Sequence, residues 1–189
     1  MSSSLWVGDL VRLRAIEPDD DRYYQAFGED TEDARSVFRV EPPRSTAQRR
    51  QEIAALGTWQ AGSDCFALAI ERVDNPGMIG AISTRDADPR TGSFSYGLAI
   101  ARDQRRHGHA TEAARILLRY MFTERRYHKC LVDIYATNVA SLRLHERLGF
   151  VIEGLLREQE YFDGRYQDVV LMGLRGSEFL AARGETEVV

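Results

Sequence analysis

The stretch from residue 93 to residue 136 restricts the fold more than any other part of the chain. It opens with SFSYGLAI and closes with KCLVDIYA, two runs of strand character. Between them Ala110, Ala113, Ala114, Leu117, Leu118, Met121 and Phe122 recur at helical spacing, while Glu112, Arg115, Arg119 and Glu124 fall off that line. One apolar stripe on a helix marks a face turned to the core. Strand, helix and strand in succession call for a parallel crossover, expected to be right-handed. The stripe is therefore core, and the sheet contains a parallel step.

The rest of the chain fits around that unit. Residues 10–15 read as a short first strand. Asp19, Asp20 and Asp21 follow Pro18 and offer an N-cap for a helix to about residue 27. Residues 28–33 form an acidic loop, and residues 46–61 read as a second helix after Pro42, Pro43 and Ser45. Strands are expected at 65–73, 78–84 and 93–100, with a turn at 75–77 and a polar loop at 86–91. Beyond the long helix come a strand at 129–136, a short helix at 138–148 closed by Gly149, and a strand at 150–162. Asp163-Gly164 signals a hairpin turn, and residues 165–174 return.

A single α/β (α+β) domain over residues 5–182 is the expectation, with flexible ends at 1–4 and 183–189. Its sheet is mixed, mostly antiparallel and seven-stranded, with helices flanking it. The 189 residues are enough for such a core without staples. Acidic residues outnumber basic ones, 29 to 25, so no nucleic-acid partner is expected. Cys65 and Cys130 lie in apolar runs without paired spacing. They read as buried small hydrophobes of a reducing compartment, and no metal site is expected. No run approaches the roughly 20 apolar residues of a membrane span, and the first residues lack a signal-peptide pattern. A cytoplasmic protein with no membrane partner is expected.

Chemistry concentrates after residue 100. A polar loop carrying Arg105 and Arg106 leads through Gly108, His109 and Ala110 into the long helix. A helix start exposes unpaired N–H groups at a positive dipole end, and small residues let an anion approach the backbone. The local physics is that of an anion site of diphosphate type, although a glycine at a helix start is more often only part of a loop. No Gly-Lys-Ser/Thr follows, so it is not a P-loop, and it lacks the second glycine of a dinucleotide fingerprint.

Arg105-x-x-Gly108-x-Ala110, followed by Thr111-Glu112-Ala113, resembles the acetyl-CoA pyrophosphate loop of the GNAT superfamily of N-acetyltransferases. Asn138 to Phe150, reading NVASLRLHERLGF, resembles that superfamily's second signature. Glu153-Gly154, Leu156-Arg157-Glu158 and Tyr161 to Asp168 resemble the closing hairpin of a narrower branch. That branch holds the ribosomal-protein N-terminal acetyltransferases and the spermidine/spermine acetyltransferases.

The resemblance implies a fold whose fourth and fifth strands splay, with the pantetheine arm of acetyl-CoA along the fourth. Leu98, Ala99 and Ile100 would then supply backbone contacts. Arg105, Arg106, His107, Gly108, His109, Ala110 and Thr111 would hold the diphosphate. Arg106 stands where many relatives have another glycine. Asn138 is either a pantetheine contact or an ordinary helix N-cap. Ser141 and His145 lie one turn apart on one helix, beside a packed stripe of Ala140, Leu144 and Leu148. Relatives often place a proton-donating tyrosine at the His145 position. Here Ser141 is the favoured donor to the departing thiolate and His145 the alternative, unless His145 is a solvated surface side chain. Glu160 is the candidate base, with Glu158 on its face by strand alternation and Asp133 as runner-up.

The implied activity is acetyl transfer from acetyl-CoA to a primary amine, by direct attack in a ternary complex and without a metal. The acceptor is a protein N-terminal amine or a small amine such as spermidine or spermine. The acidic run Glu29, Asp30, Glu32 and Asp33 is expected to be a surface loop without a role, and would attract a polycation only if the acceptor is a polyamine. A homodimer is possible by analogy, and a non-catalytic acyl-CoA-binding module is the reading from another class.

Overall fold

The computed structural model describes residues 4–20, 23, 40, 42–58, 62–182 and 184. Seven strands hydrogen-bond in the order β1-β2-β3-β4-β5-β7-β6. They are β1 (Val11–Arg14), β2 (Ala67–Arg72), β3 (Met78–Asp88), β4 (Ser93–Ile100), β5 (Lys129–Tyr135), β6 (Val151–Phe162) and β7 (Arg165–Arg175). The helices are α1 (Thr46–Leu56), α2 (His109–Arg119), α3 (Val139–Leu148) and α4 (Gly176–Ala181). The β1–β2, β2–β3, β5–β7 and β6–β7 ladders are antiparallel. The β4–β5 ladder is parallel, pairing Ser93, Phe94 and Ser95 with Lys129, Cys130 and Leu131. The mixed sheet and its parallel step are therefore those the sequence predicts.

The chain divides into two compact units. Unit 1 is Met1–Arg85 with Gly97–Leu117, and unit 2 is Asp86–Tyr96 with Leu118–Val189. Strand β4 and helix α2 each run from one unit into the other.

In unit 1 the core gathers Ile16, Ile53 and Ala69, with Ala67 and Met78 packed against them. Ala113, Ala114 and Leu117 of the α2 stripe are fully buried. Helix α1 is capped by Ser45, whose hydroxyl accepts from the Gln48 N–H at 3.2 Å, a normal N-cap. It ends at Leu56, short of the expected residue 61. The expected helix from Asp19 is preceded by a three-residue 3-10 turn, Pro18–Asp20, and Tyr23 within its span is helical. Asp20 is drawn elsewhere. Its carboxylate accepts a bidentate pair from Arg14, both bonds 2.8 Å, and the Glu17 N–H, also at 2.8 Å. Glu71 joins the cluster by accepting from Arg14 Nε at 3.2 Å, from Arg12 and from the Gly77 N–H at 2.8 Å. Burial alone would raise both carboxyl pKa values, but these donors hold them below the usual range. Apart from Tyr23, the rest of the predicted helix and the acidic run Glu29, Asp30, Glu32 and Asp33 lie outside the described residues, as do 1–3, 183 and 185–189 of the expected flexible ends.

In unit 2 the core is aromatic. Phe94 meets Phe122 and Tyr127 edge-on, with ring centroids 5.7 and 5.3 Å apart. Beyond α2 the chain makes one π-helical turn, Tyr120–Glu124, which carries Met121 and Phe122 into that core. The expected loop at 86–91 begins later, because β3 continues through Asp88. Residues 176–181, given no element from sequence, form α4. Cys130 is buried as expected, but Cys65 is exposed, because β2 starts only at Ala67. Ala140 is exposed too, and the packed stripe of α3 is Leu144, His145 and Leu148. Among the described residues no helix is long and apolar enough to cross a membrane.

Candidate functional site

Within unit 1, β4 ends at Ile100 and the chain enters α2 through a loop of unusual backbone. Arg106 has φ 67° and Gly108 φ 88°, both left-handed. That region suits glycine and costs other residues about 1 kcal/mol. Arg106 therefore bears the strain that a glycine would avoid. Side-chain bonds hold the loop from within. Arg105 Nε donates to the Ile100 carbonyl at 2.9 Å, and His109 Nδ1 donates to the Gln104 carbonyl at 3.0 Å. The ring of the exposed His107 stacks on that of the buried His109 at 5.6 Å. The first α-type bond of α2 runs from the Glu112 N–H to the Gly108 carbonyl at 3.1 Å. The amides of His109, Ala110 and Thr111 thus open the helix without an intrahelical acceptor. Alternating left-handed residues ahead of a helix N-terminus make an anion-binding concavity. A Cβ on Gly108 would meet only Leu10 Cδ1, at 3.1 Å. These residues fit a diphosphate.

Glu112 sits one turn into α2 and faces away from that role. Its carboxylate accepts the backbone N–H groups of Asp9, Leu10 and Val11 at 2.9, 2.8 and 2.7 Å. A negative charge beside a phosphate loop is thereby spent on three amides of the chain entering β1. Leu98, Ala99 and Ile100 are on β4, with the Ala99 carbonyl 3.4 Å from the Tyr23 hydroxyl.

Unit 2 holds the other predicted residues. Asn138 is the N-cap of α3, its Oδ1 accepting the Ser141 N–H at 3.0 Å, and Gly149 ends the helix at φ 97°. Ser141 is half-buried on the first turn. His145 is no surface histidine, being only 6% exposed. Its Nδ1 lies 2.8 Å from the Ser141 carbonyl and 3.4 Å from Ser141 Oγ, and its Nε2 lies 3.0 Å from the Tyr96 hydroxyl. Phe150 closes edge-on over the imidazole, centroids 5.0 Å apart. Burial holds the His145 pKa below its ordinary value, against the raising effect of the Ser141 carbonyl. Tyr96, which no sequence motif singles out, is its buried partner. The signal for it lay in period two, which puts Tyr96 on the face of Phe94.

Glu160 is half-buried on β6, opposite the buried Gln167 of β7. The expected alternation with Glu158 is broken. Leu156 pairs with Val169 and Glu160 with Gln167, so β6 carries two extra residues between them. Glu158 sits in that bulge at φ 52°, and its N–H donates to Asp168 Oδ1 at 2.8 Å. Glu158 and Asp133 are both exposed. No group of three or more His, Cys, Asp or Glu among the described residues is placed to hold a metal.

The sequence profile of the acetyltransferase (GNAT) domain matches residues 11–151. The prophage-derived uncharacterized N-acetyltransferase YokL of Bacillus subtilis is 34% identical over 179 residues, 95% of this chain and 97% of that protein. The putative ribosomal N-acetyltransferase YdaF of Bacillus subtilis is 25% identical over 176 residues, 92% of this chain and 95% of its own. Among solved structures, spermidine N-acetyltransferase from Vibrio cholerae in complex with CoA and spermine superposes with TM-score 0.79 at 25% identity, covering 92% of this chain and 99% of that one. In class the protein is an acyltransferase with acetyl-CoA as its donor. The chain belongs to the GNAT acetyltransferase family.

Proposed function

We propose that this protein acetylates a primary amine, and that both units belong to one transferase domain over residues 5–182. The observation that carries the reading is the loop into α2, with its two left-handed residues and open first-turn amides. In this reading Arg105, Arg106, His107, Gly108, His109, Ala110 and Thr111 take the diphosphate, and the backbone at Leu98, Ala99 and Ile100 takes the pantetheine arm together with Asn138. Strand β4 and helix α2, each common to both units, support a single domain.

Acetyl-CoA supplies the acetyl group as a thioester. Glu160 takes the proton that the amine nitrogen loses as it bonds to the carbonyl carbon, and returns it to solvent. Ser141 Oγ–H gives a proton to the sulfur as the C–S bond breaks, and regains one from solvent. Glu160 is favoured over Glu158 and Asp133 because it alone of the three is half-buried. Much of the acceleration comes from holding the two reactants together.

A small polycationic amine is the favoured acceptor, supported by the likeness to the spermidine N-acetyltransferase bound to spermine. A protein N-terminal amine is the second reading, supported by the likeness to the putative ribosomal enzyme. Use of acetyl-CoA as the donor supports the reading of a cytoplasmic enzyme. Exposed Val151, Ile152, Leu155 and Leu156 on the edge strand β6 support association into a homodimer.

A one-pot competition tests the reading. The protein is incubated with acetyl-CoA, spermidine, spermine, simple amines and peptides with Ser, Ala or Thr N-termini, and products are read by mass. An acetylated polyamine is the expected product, and an acetylated peptide would shift the assignment to the second reading. Acetyl-CoA binding without any product would favour a binding module. Gly108→Glu is expected to abolish acetyl-CoA binding by calorimetry, and unchanged affinity would sink the diphosphate assignment.

A further inference from the structure

A serine one helical turn before a buried histidine ordinarily reads as a nucleophile with its base. Here the geometry forbids that direction. The Ser141 carbonyl, 2.8 Å from His145 Nδ1, can only accept, so Nδ1 carries the ring proton. Nε2 is then a lone pair, and the Tyr96 hydroxyl at 3.0 Å donates to it. Ser141 Oγ, at 3.4 Å, faces a nitrogen with no lone pair to offer. Its proton has no acceptor in His145.

We infer that Tyr96 and His145 are a positioning pair that makes Ser141 a proton donor rather than a nucleophile. The chain of bonds runs one way, from the Tyr96 hydroxyl to Nε2, and from Nδ1–H to the Ser141 carbonyl. Neither group can leave its role easily. Burial pushes the Tyr96 hydroxyl well above its ordinary pKa, so it remains a donor, and the same burial keeps His145 neutral. Tyr96 is 3% exposed, and Phe150 packs against both rings, so water has little access to exchange partners with either. His145 is thereby removed from the list of direct proton donors. A relay from Tyr96 through His145 would end in a buried tyrosinate, which burial of that hydroxyl disfavours.

This inference rests on Ser141 acting as the donor, and the two can be tested apart. In the unmodified enzyme, nuclear magnetic resonance of isotope-labelled histidine should show His145 protonated at Nδ1 and bare at Nε2. Tyr96→Phe should lower kcat roughly tenfold, a part of the roughly 10²–10⁴-fold that a positioned proton transfer contributes, with acetyl-CoA affinity unchanged. Intact mass of the enzyme treated with acetyl-CoA alone should show no acetyl-Ser141. A proton at Nε2, an acetylated Ser141, or an unchanged kcat in Tyr96→Phe would overturn the inference. The tautomer measurement needs no variant, so it decides the matter even if Tyr96→Phe does not fold. Full activity in Ser141→Ala would instead remove the donor reading itself.

Discussion

Among the described residues, unit 1 buries two carboxylates, Asp20 and Glu71, and meets both with arginine and backbone donors. Unit 2 buries Tyr96, Ser95, His145 and Gln167, none of them charged at neutral pH. Charge in unit 1 is used to fasten backbone: Asp20 holds the Glu17 N–H, Glu71 the Gly77 N–H and Glu112 the amides of residues 9–11. In unit 2 a charge would blur the direction of a hydrogen bond, and direction is what a proton donor needs. A buried ion pair is held by attraction from all sides, whereas a neutral chain of hydroxyl, imidazole and carbonyl has a defined sense.

The contrast predicts effects of descending size. Arg14→Leu strips the common partner from two buried carboxylates and should cost about 3 kcal/mol in urea unfolding. Glu112→Ala leaves three amides without their acceptor and should cost about 2 kcal/mol, with Glu112→Gln losing about half of that. A loss in Glu112→Ala confined to stability, with acetyl-CoA affinity intact, would separate the clamp from the phosphate loop.

Acid should then divide the two units. The His145 pKa is held below its unfolded value near 6.5, so its contribution is complete above that pH and is lost as pH falls through the lowered value. Asp20 and Glu71 are also lowered, from values near 4, so their contribution survives until more acid conditions. Urea midpoints between pH 7.5 and 5.5 should fall for the native protein and fall less for His145→Phe. Equal slopes would show that His145 is not buried as a neutral ring. The smallest effect tests the neutral character of unit 2. Ser95 Oγ is buried with no hydrogen-bond partner among the described residues. Ser95→Ala should therefore raise stability by about 0.5–1 kcal/mol, and a loss would reveal a partner for that hydroxyl.

What the sequence displayed well was periodicity. The α2 stripe, the strands on either side of it and the Asp163-Gly164 turn need only local spacing and backbone preference to be read. Loop chemistry was legible in kind, since Gly108 and the arginines marked an anion site, but the left-handed Arg106 was not visible in a residue type that disfavours that region. Glu158 was misplaced because alternation holds only while a ladder stays in register, and the Asp168 carboxylate that pins the bulge lies across the hairpin. Asp20 looked like a helix cap because caps are local, whereas its true partner, Arg14, sits on β1. His145 was split between surface and site for the same reason: its buried partner, Tyr96, is distant in sequence and adjacent only in the fold.

The Glu112 clamp also gives the residues just ahead of β1 a task. Shortening the chain to the start of β1 would keep every strand and helix, yet it would delete the amides of Asp9 and Leu10. The carboxylate would then stand only partly neutralised at the mouth of α2, where its repulsion adds to the energy an arriving diphosphate must overcome. The amides of Asp9 and Leu10 thus act as donors that quiet this carboxylate, and removing them should weaken coenzyme binding without touching a single residue of the binding loop.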